Sequence, residues 1–333
     1  MSIIVVGDAG TWKRRLREIS GFDTYHTYAY HRLAERNGEG TPLLLIHENK
    51  DLTIALPMLR RDIPGHPGLY DLTSVYGYPG PVASRASVTF DEAILFRQDL
   101  HTYFVSERVV SAFTRLNPLI ANQASILSGI GTTTPTVVLD LASPDTSEYS
   151  KTLRYDLRRL AREGYETCWT KSWADVESFR EVYLQNMRRV GAEERYFFSS
   201  EYFRLLFASD EYNCELALAR KDNAVVAGSI FLTCGNIVQY HLSATDEAHM
   251  RMSPVKLILD AARAKYAQAG FRWLHLGGGV GGRIDSLFQF KRSFSAQVLA
   301  FGVWRYVPDP ERYNALVQSA GLAGNPRFPA YRK

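Results

Sequence analysis

Three strand-like runs, residues 215–220, 224–233 and 236–243, follow one another with only short polar turns between them, and a helix and a further strand come directly after. Lys221-Asp222-Asn223 supplies the first turn, so the opening pair reads as a hairpin and the third run as its extension into a meander. The helix is predicted to start at Ser253-Pro254, a capping residue with proline at the first helical position, and to run to about Ala269, where Gly270 closes it. Residues 271–276 then read as strand and 284–292 as helix, with a glycine run between them. A meander that feeds a helix and returns as a strand must bury a sheet face against that helix, so the chain is read as α/β with mixed sheets.

The first half alternates in the same way. Residues 11–20 and 28–36 carry helical signals, 43–47 and 52–61 read as paired strands around the turn Asn49-Lys50-Asp51, and 91–107 has helical spacing. In residues 71–82, glycine and proline fall where a strand would need side chains and amide donors, so a loop with aromatic walls is expected. Residues 136–141 read as a strand leading to a helix start at Ser143-Pro144-Asp145-Thr146, and the helix is expected over 146–163, ending at Gly164. Its Leu153, Leu157, Leu160 and Ala161 would seat it on a core, while Arg154, Arg158 and Arg162 form a basic stripe at i, i+4 and i+8. That stripe suits the phosphates of a substrate or of RNA, and equally suits a solvated face. Residues 165–170 are predicted as strand, 173–189 and 200–207 as helices, and 297–307 as a final long strand.

A chain of 333 residues exceeds what one core usually holds, so two domains are expected, with the main boundary after residue 145. The 46% hydrophobic and 22% charged residues exclude collagen-like, disordered and low-complexity classes. The formal net charge of +4 permits a polyanionic partner only as a local patch. Cys168, Cys214 and Cys234 are far apart and form no C-x-x-C pair, which argues against a disulfide framework and a zinc site and for a reducing compartment. The opening apolar run is too short for a signal-peptide core and no 18-residue apolar run follows, so a cytoplasmic protein is expected.

Several motifs fail on inspection. Gly277-Gly278-Gly279-Val280-Gly281-Gly282 contains G-x-G-x-x-G after a strand, but a dinucleotide fold needs an acidic residue some 20 positions on, where Gly302 stands near the end of the chain. A P-loop fails because Arg283-Ile284 occupies the Lys-Ser/Thr position. No G-x-S-x-G elbow occurs, and the cysteines lie in strand-like stretches typical of packing, which disfavours covalent catalysis. His241, His249 and His275 are isolated in the sequence, which favours structural histidines over metal ligands. Lys291 differs: it follows the glycine run among phenylalanines, where a cation in an apolar wall can stabilise an oxyanion or, alternatively, snorkel from a helix end.

Five segments taken in order resemble the FemABX family of aminoacyl-tRNA-dependent peptidyl transferases, relatives of the N-acetyltransferase (GNAT) superfamily. They are the loop Tyr76-Gly77-Tyr78-x-Gly80-Pro81; the helix Leu153-Arg154-x-x-Leu157-Arg158-Arg159-x-x-Arg162-x-Gly164; Asn186-Met187-Arg188-Arg189 with Tyr196-Phe197-Phe198; the strand Tyr240-His241-Leu242-Ser243; and Leu276-Gly277-Gly278-Gly279 leading to Asp285-Ser286-Leu287-Phe288-x-Phe290-Lys291. The resemblance covers nearly the whole chain. It implies two GNAT-like domains in tandem facing a shared groove: residues 1–145 plus 305–333 on the acceptor side and 146–304 on the aminoacyl donor and catalytic side. It also implies that Phe290 and Lys291 match the family's Phe-Lys pair, whose lysine stabilises the tetrahedral intermediate. Tyr76, Tyr78, Arg154, Arg158, Tyr240, Gly278 and Gly279 are implied as substrate-binding residues. The coiled-coil arm of some staphylococcal members is absent, so any tRNA contact must use the compact body.

The expected activity is transfer of an amino acid from its tRNA ester to a primary amine of a peptide acceptor, either a peptidoglycan precursor or a natural-product intermediate. No metal or other cofactor is expected, with aminoacyl-tRNA as co-substrate. Acyl-CoA-dependent relatives grip pyrophosphate with a glycine-rich turn at a helix N-terminus, whereas here the corresponding place reads His249-Met250-Arg251-Met252-Ser253-Pro254, with no glycine. An acyl-CoA-dependent N-acyltransferase of polysaccharide or lipid assembly is the alternative enzyme, and a non-catalytic RNA- or peptide-binding module the alternative outside enzymes.

Overall fold

The computed structural model describes residues 2–19, 21–143 and 146–332, and the chain divides into two compact units, residues 1–133 with 301–333, and residues 134–300. The division falls inside a strand rather than after it at 145/146.

In the first unit, β1 (Ile4–Val6) leads to α1 (Ala9–Arg17) and α2 (Tyr28–Arg36). Asp8 accepts from the Thr11 amide and Thr27 from the Tyr30 amide, so both helices begin at side-chain caps. The expected end of the first helix at Ser20 lies outside the described residues. β2 (Thr41–Asn49) and β3 (Leu52–Asp62) form an antiparallel hairpin. Both strands are buried on both faces, because Leu44 and Ile46 pack with Trp12 and Leu16 while Leu43 and Leu45 pack with Phe96, Leu100 and Phe104. β4 (Tyr70–Thr73) and β5 (Val82–Ala83) each pair with β3, so residues 71–73 are strand and the aromatic loop shrinks to residues 74–81. The strand was hidden because its ladder partner lies about ten residues away along the chain. α3 (Phe90–Ser106) starts at a Thr89/Glu92 capping box, and β6 (Val109–Arg115) runs parallel to β4. α4 (Gln123–Leu127) precedes β7 (Ile130–Asp140), within which the chain passes to the second unit.

In the second unit, α5 (Lys151–Arg162) follows a 3-10 turn at Thr146–Glu148. The helix therefore starts later than residue 146, at the Ser150 hydroxyl that accepts from the Leu153 amide; Pro144 and Asp145 of the expected start lie outside the described residues. Leu153 and Leu160 are buried, Leu157 is partly so, and Ala161, expected on the core, is exposed. β8 (Glu166–Thr170), α6 (Trp173–Arg189) and α7 (Ser200–Phe207) come next. β9 (Asn213–Lys221), β10 (Ala224–Cys234) and β11 (Ile237–Thr245) are an antiparallel meander with β8 on its edge.

α8 (Val255–Gln268) crosses to β12 (Trp273–Gly277), which lies parallel to β11 and antiparallel to residues 137–140 of β7. Ser253 has φ +54 and makes no capping bond, so the expected Ser-Pro cap is instead a tight left-handed turn. α5 and α8 cover one face, where Leu153, Leu160, Ile258, Leu259 and Tyr266 meet Ala217, Ala219, Phe231 and Val238. Each buried leucine contributes about 1.5–3 kcal/mol. α6 covers the other face, where a Cβ on Gly228 would lie 2.3 Å from the Phe179 ring.

α9 (Ser286–Arg292) and β13 (Val298–Tyr306) bring the chain back to the first unit, where Val303–Tyr306 pairs antiparallel with β6. α10 (Pro310–Ser319) follows, an element the sequence pattern had not suggested. The last residues are anchored through Asp71, which is fully buried and accepts from Arg61 Nε (2.7 Å), Arg332 Nε (2.6 Å) and the Tyr331 hydroxyl (3.1 Å).

Candidate active site

The site is built where two parallel strands part. β11 and β12 are in register only from Ile237 opposite Trp273 to Gln239 opposite His275. Beyond that pair β11 continues through a β-bulge: Ile230 opposes Leu242 and Phe231 opposes Tyr240, which makes His241 the extra residue. β12 instead ends at Gly277 and turns into the glycine run.

The loop that follows is fixed by one carboxylate. Asp285 caps α9 by accepting from the Phe288 amide (2.9 Å) and also accepts from the Val280 amide (2.9 Å). These amide bonds hold its carboxyl below the usual carboxylate range. A Cβ on Gly279 would lie 2.1 Å from the Arg283 carbonyl and 2.3 Å from Asp285 Oδ1, so only glycine fits there. α9 then turns Phe288 and Lys291, three residues apart, toward the interior.

Lys291 is only 7% exposed. Its Nζ donates to the Gly278 carbonyl at 2.7 Å and stands 5.9 Å from the centre of the Tyr240 ring. The amine thus lies between the loop that follows β12 and Tyr240 of β11, just past the point where the strands separate. Burial pushes its pKa down to about 8, with Asp285 opposing weakly. At neutral pH the amine is still mainly an ammonium.

Apart from Asp285, whose oxygens are taken by the Val280 and Phe288 amides, the titratable groups of this region are neutral. His275 is buried, its Nδ1 lies 2.8 Å from Gln239 Oε1, and burial assisted by the nearby Lys291 charge pushes its pKa down to about 3. Burial likewise pushes His241 down to about 3. The Tyr240 hydroxyl is pushed up to about 12 by burial, against hydrogen bonds with Ser243 and Ser229, and stays protonated. Away from this amine, on β9, burial raises the Cys214 thiol well above its ordinary value, which makes it a packing group rather than a nucleophile. A lone ammonium in such surroundings is suited to stabilising negative charge that develops during a reaction.

The other expected residues fall in four places. Gly278 supplies the carbonyl that Lys291 binds, and Gly279 shapes the loop. Phe290 is half-buried, edge-on to Phe294 at 5.7 Å, and packs α9 against the core. Arg154 and Arg158 stand exposed on α5. Tyr76 and Tyr78 belong to the first unit, where Tyr76 is 54% exposed and Tyr78 packs edge-on to Tyr25 and Phe301. Their loop is pinned by Gln123, whose Nε2 donates to the Pro79 carbonyl and whose Oε1 accepts from the Asn117 amide. The sequence reading missed Asp285, although Asp-Ser at a helix start is a capping signal, and it missed the pairing of His275 with Gln239, which only the strand register creates.

The start of α8 offers few amides. Met252 and Ser253 donate to the His249 carbonyl, Lys256 to Ser253, Leu257 to Pro254, and Pro254 has no N–H. Among the described residues no group of three or more His, Cys, Asp or Glu is placed to hold a metal, and no helix is long and apolar enough to cross a membrane.

Residues 147–292 match a family model described as an acetyltransferase (GNAT) domain. No curated protein sequence matches the chain. Among solved structures, FemX superposes with a TM-score of 0.72 at 11% identity, over 95% of this chain and 99% of that one. L-PGS from Bacillus licheniformis superposes with a TM-score of 0.58 at 11% identity, over 93% of this chain and 94% of that one.

Proposed function

We propose that this chain, an acyltransferase with a FemABX-like fold and a GNAT domain, is an aminoacyl-tRNA-dependent N-aminoacyltransferase. It moves an amino acid from its tRNA ester onto a primary amine of a peptide acceptor, a peptidoglycan precursor or a peptide natural-product intermediate. The observation that carries this reading is the buried Lys291 ammonium, bound to the Gly278 carbonyl where β11 and β12 part.

The acceptor amine attacks the ester carbonyl and a C–N bond forms. Lys291 meets the oxyanion of the tetrahedral intermediate. The C–O bond to the terminal ribose then breaks, and the leaving oxygen takes up a proton equivalent to the one the amine gives up, passed through the substrate, water or a nearby tyrosine. The ester is already activated, so the step needs no metal and no redox cofactor. The internally bonded amides at the start of α8 support a donor other than an acyl-CoA, because a pyrophosphate would find few free N–H groups there. A charged-tRNA donor places the reaction in the cytoplasm.

The test is transfer of radiolabelled amino acids from a mixed charged-tRNA pool to a panel of peptide and cell-wall-precursor amines, with a ribonuclease-treated control and a parallel acetyl-CoA arm. Ribonuclease-sensitive amide formation is the expected result. Product only in the acetyl-CoA arm would overturn the reading.

A further inference from the structure

The outer face of α5 is turned to solvent. Lys151, Arg154, Arg158, Arg159 and Arg162 are all exposed, and among the described residues none of them is ion-paired. The helix's own Asp156 is taken by Lys256 at 2.6 Å. At 100° per residue the five cations fall within an arc of about 140°, and at 1.5 Å per residue they extend over about 16 Å. Tyr155, 53% exposed, lies inside that arc.

The helix begins beside the catalytic segment. The Ser150 amide donates to the Ser293 carbonyl at 3.0 Å, two residues past Lys291, and Tyr149 packs edge-on to Phe294 at 5.5 Å. The cationic face therefore starts next to the strand-and-loop frame that holds the reactive ammonium.

Building on the aminoacyl-tRNA reading, we infer that this face of α5 is the docking surface for the phosphate backbone of the donor RNA. A compact diphosphate needs cations that converge on one point, whereas these are spread in a line along a convex helix, which matches a polyanion with regularly repeated charges. Successive arginines at i, i+4 and i+8 are about 6 Å apart along the axis. Tyr155 adds an aromatic face on which an unpaired base can stack. A bilayer is a poorer match, because the exposed residues of this helix include no large aliphatic side chain to enter it.

The experiment compares the wild-type chain, an Arg154→Gln/Arg158→Gln/Arg162→Gln variant, and a charge-matched Arg14→Gln/Arg17→Gln/Arg36→Gln variant in the first unit. Binding to an uncharged tRNA pool is measured as a function of salt, beside binding to phosphatidylglycerol vesicles, with circular dichroism to confirm folding. The α5 variant is expected to lose about 2 to 3 units of slope in log affinity against log salt, roughly one per lost phosphate contact, while the charge-matched variant keeps the wild-type slope. Equal slopes for the two variants would overturn the placement on α5 while leaving the transfer reaction intact. A wild type that binds the vesicles and not tRNA would overturn it in favour of a membrane surface. A wild type that neither binds tRNA nor transfers from it would remove the functional reading itself.

Discussion

Lys291 donates to the Gly278 carbonyl at 2.7 Å, and its partner is a neutral dipole rather than a carboxylate. The nearest acid, Asp285, spends its oxygens on the amides of Val280 and Phe288. The ammonium is thereby oriented without being neutralised, which leaves its charge available to the oxyanion of the proposed transfer. An ion pair at the same place would have cancelled it.

Replacement of Lys291 by methionine is expected to lower the single-turnover rate by about 10²–10³-fold, the usual consequence of removing an oxyanion donor, with little change in donor affinity. Thermal stability should hold or rise, because a buried charge is exchanged for an apolar side chain of similar length. Rapid-quench kinetics beside a melting curve would check both, and an unchanged turnover would take Lys291 out of the mechanism.

The pH dependence carries two opposite signs. If Lys291 acts as proposed, catalysis needs its ammonium, so the rate should be present at neutral pH and fall as pH rises through about 8. Burial has depressed the folded-state pKa below the ordinary 10.5, so between these values the unfolded chain holds a proton that the folded chain has released, and this group makes stability rise with pH across that window. Rate and denaturation midpoint measured from pH 7 to 10 should therefore diverge, after correction for acceptor amine ionisation. In the Lys291→Met variant the divergence should vanish.

Gly279→Ala should abolish transfer while leaving a cooperative melt. Its Cβ would meet the Arg283 carbonyl and Asp285 Oδ1, so the loop must shift and the Lys291 anchor with it. Gly281→Ala is the milder companion: its Cβ meets nothing within 4 Å, and the cost is that of φ +62 alone, about 1 kcal/mol. If both variants kept equal activity, the loop would not be what positions the amine.

In the first unit, Asp71→Ala should destabilise by about 3 kcal/mol, since it strips Arg61, Arg332 and Tyr331 of a shared buried acceptor. Arg332→Ala should cost less, because Arg61 and Tyr331 keep their bonds. Chemical denaturation would measure the difference, and an equal loss in the two variants would show that Arg332 alone accounts for the anchor.

Helix limits were the most legible part of the sequence. Tyr28–Arg36, Trp173–Arg189 and Ser200–Phe207 end where their patterns end, because caps and apolar spacing act within a turn or two. β4 reads as loop in the sequence, since a short strand beside glycine and proline is defined by its ladder partners rather than by its own residues. At Ser253 the local signal was present and misleading: the backbone adopts φ +54, set by the turn before it. Lys291 was legible as a cation among phenylalanines, but the bond to Gly278, the bulge at His241 and the neutral Gln239–His275 pair exist only once β11 and β12 are in register.

The second unit enters and leaves through neighbouring strands. The Thr136 hydroxyl donates to the Leu299 carbonyl at 2.8 Å, and the Val138 amide to Gln297 at 3.2 Å. The two ends of this segment are held side by side, so it is an insertion between two strands rather than a second domain strung after the first. A module attached in this way can be lengthened, shortened or exchanged without stretching any connection elsewhere in the chain.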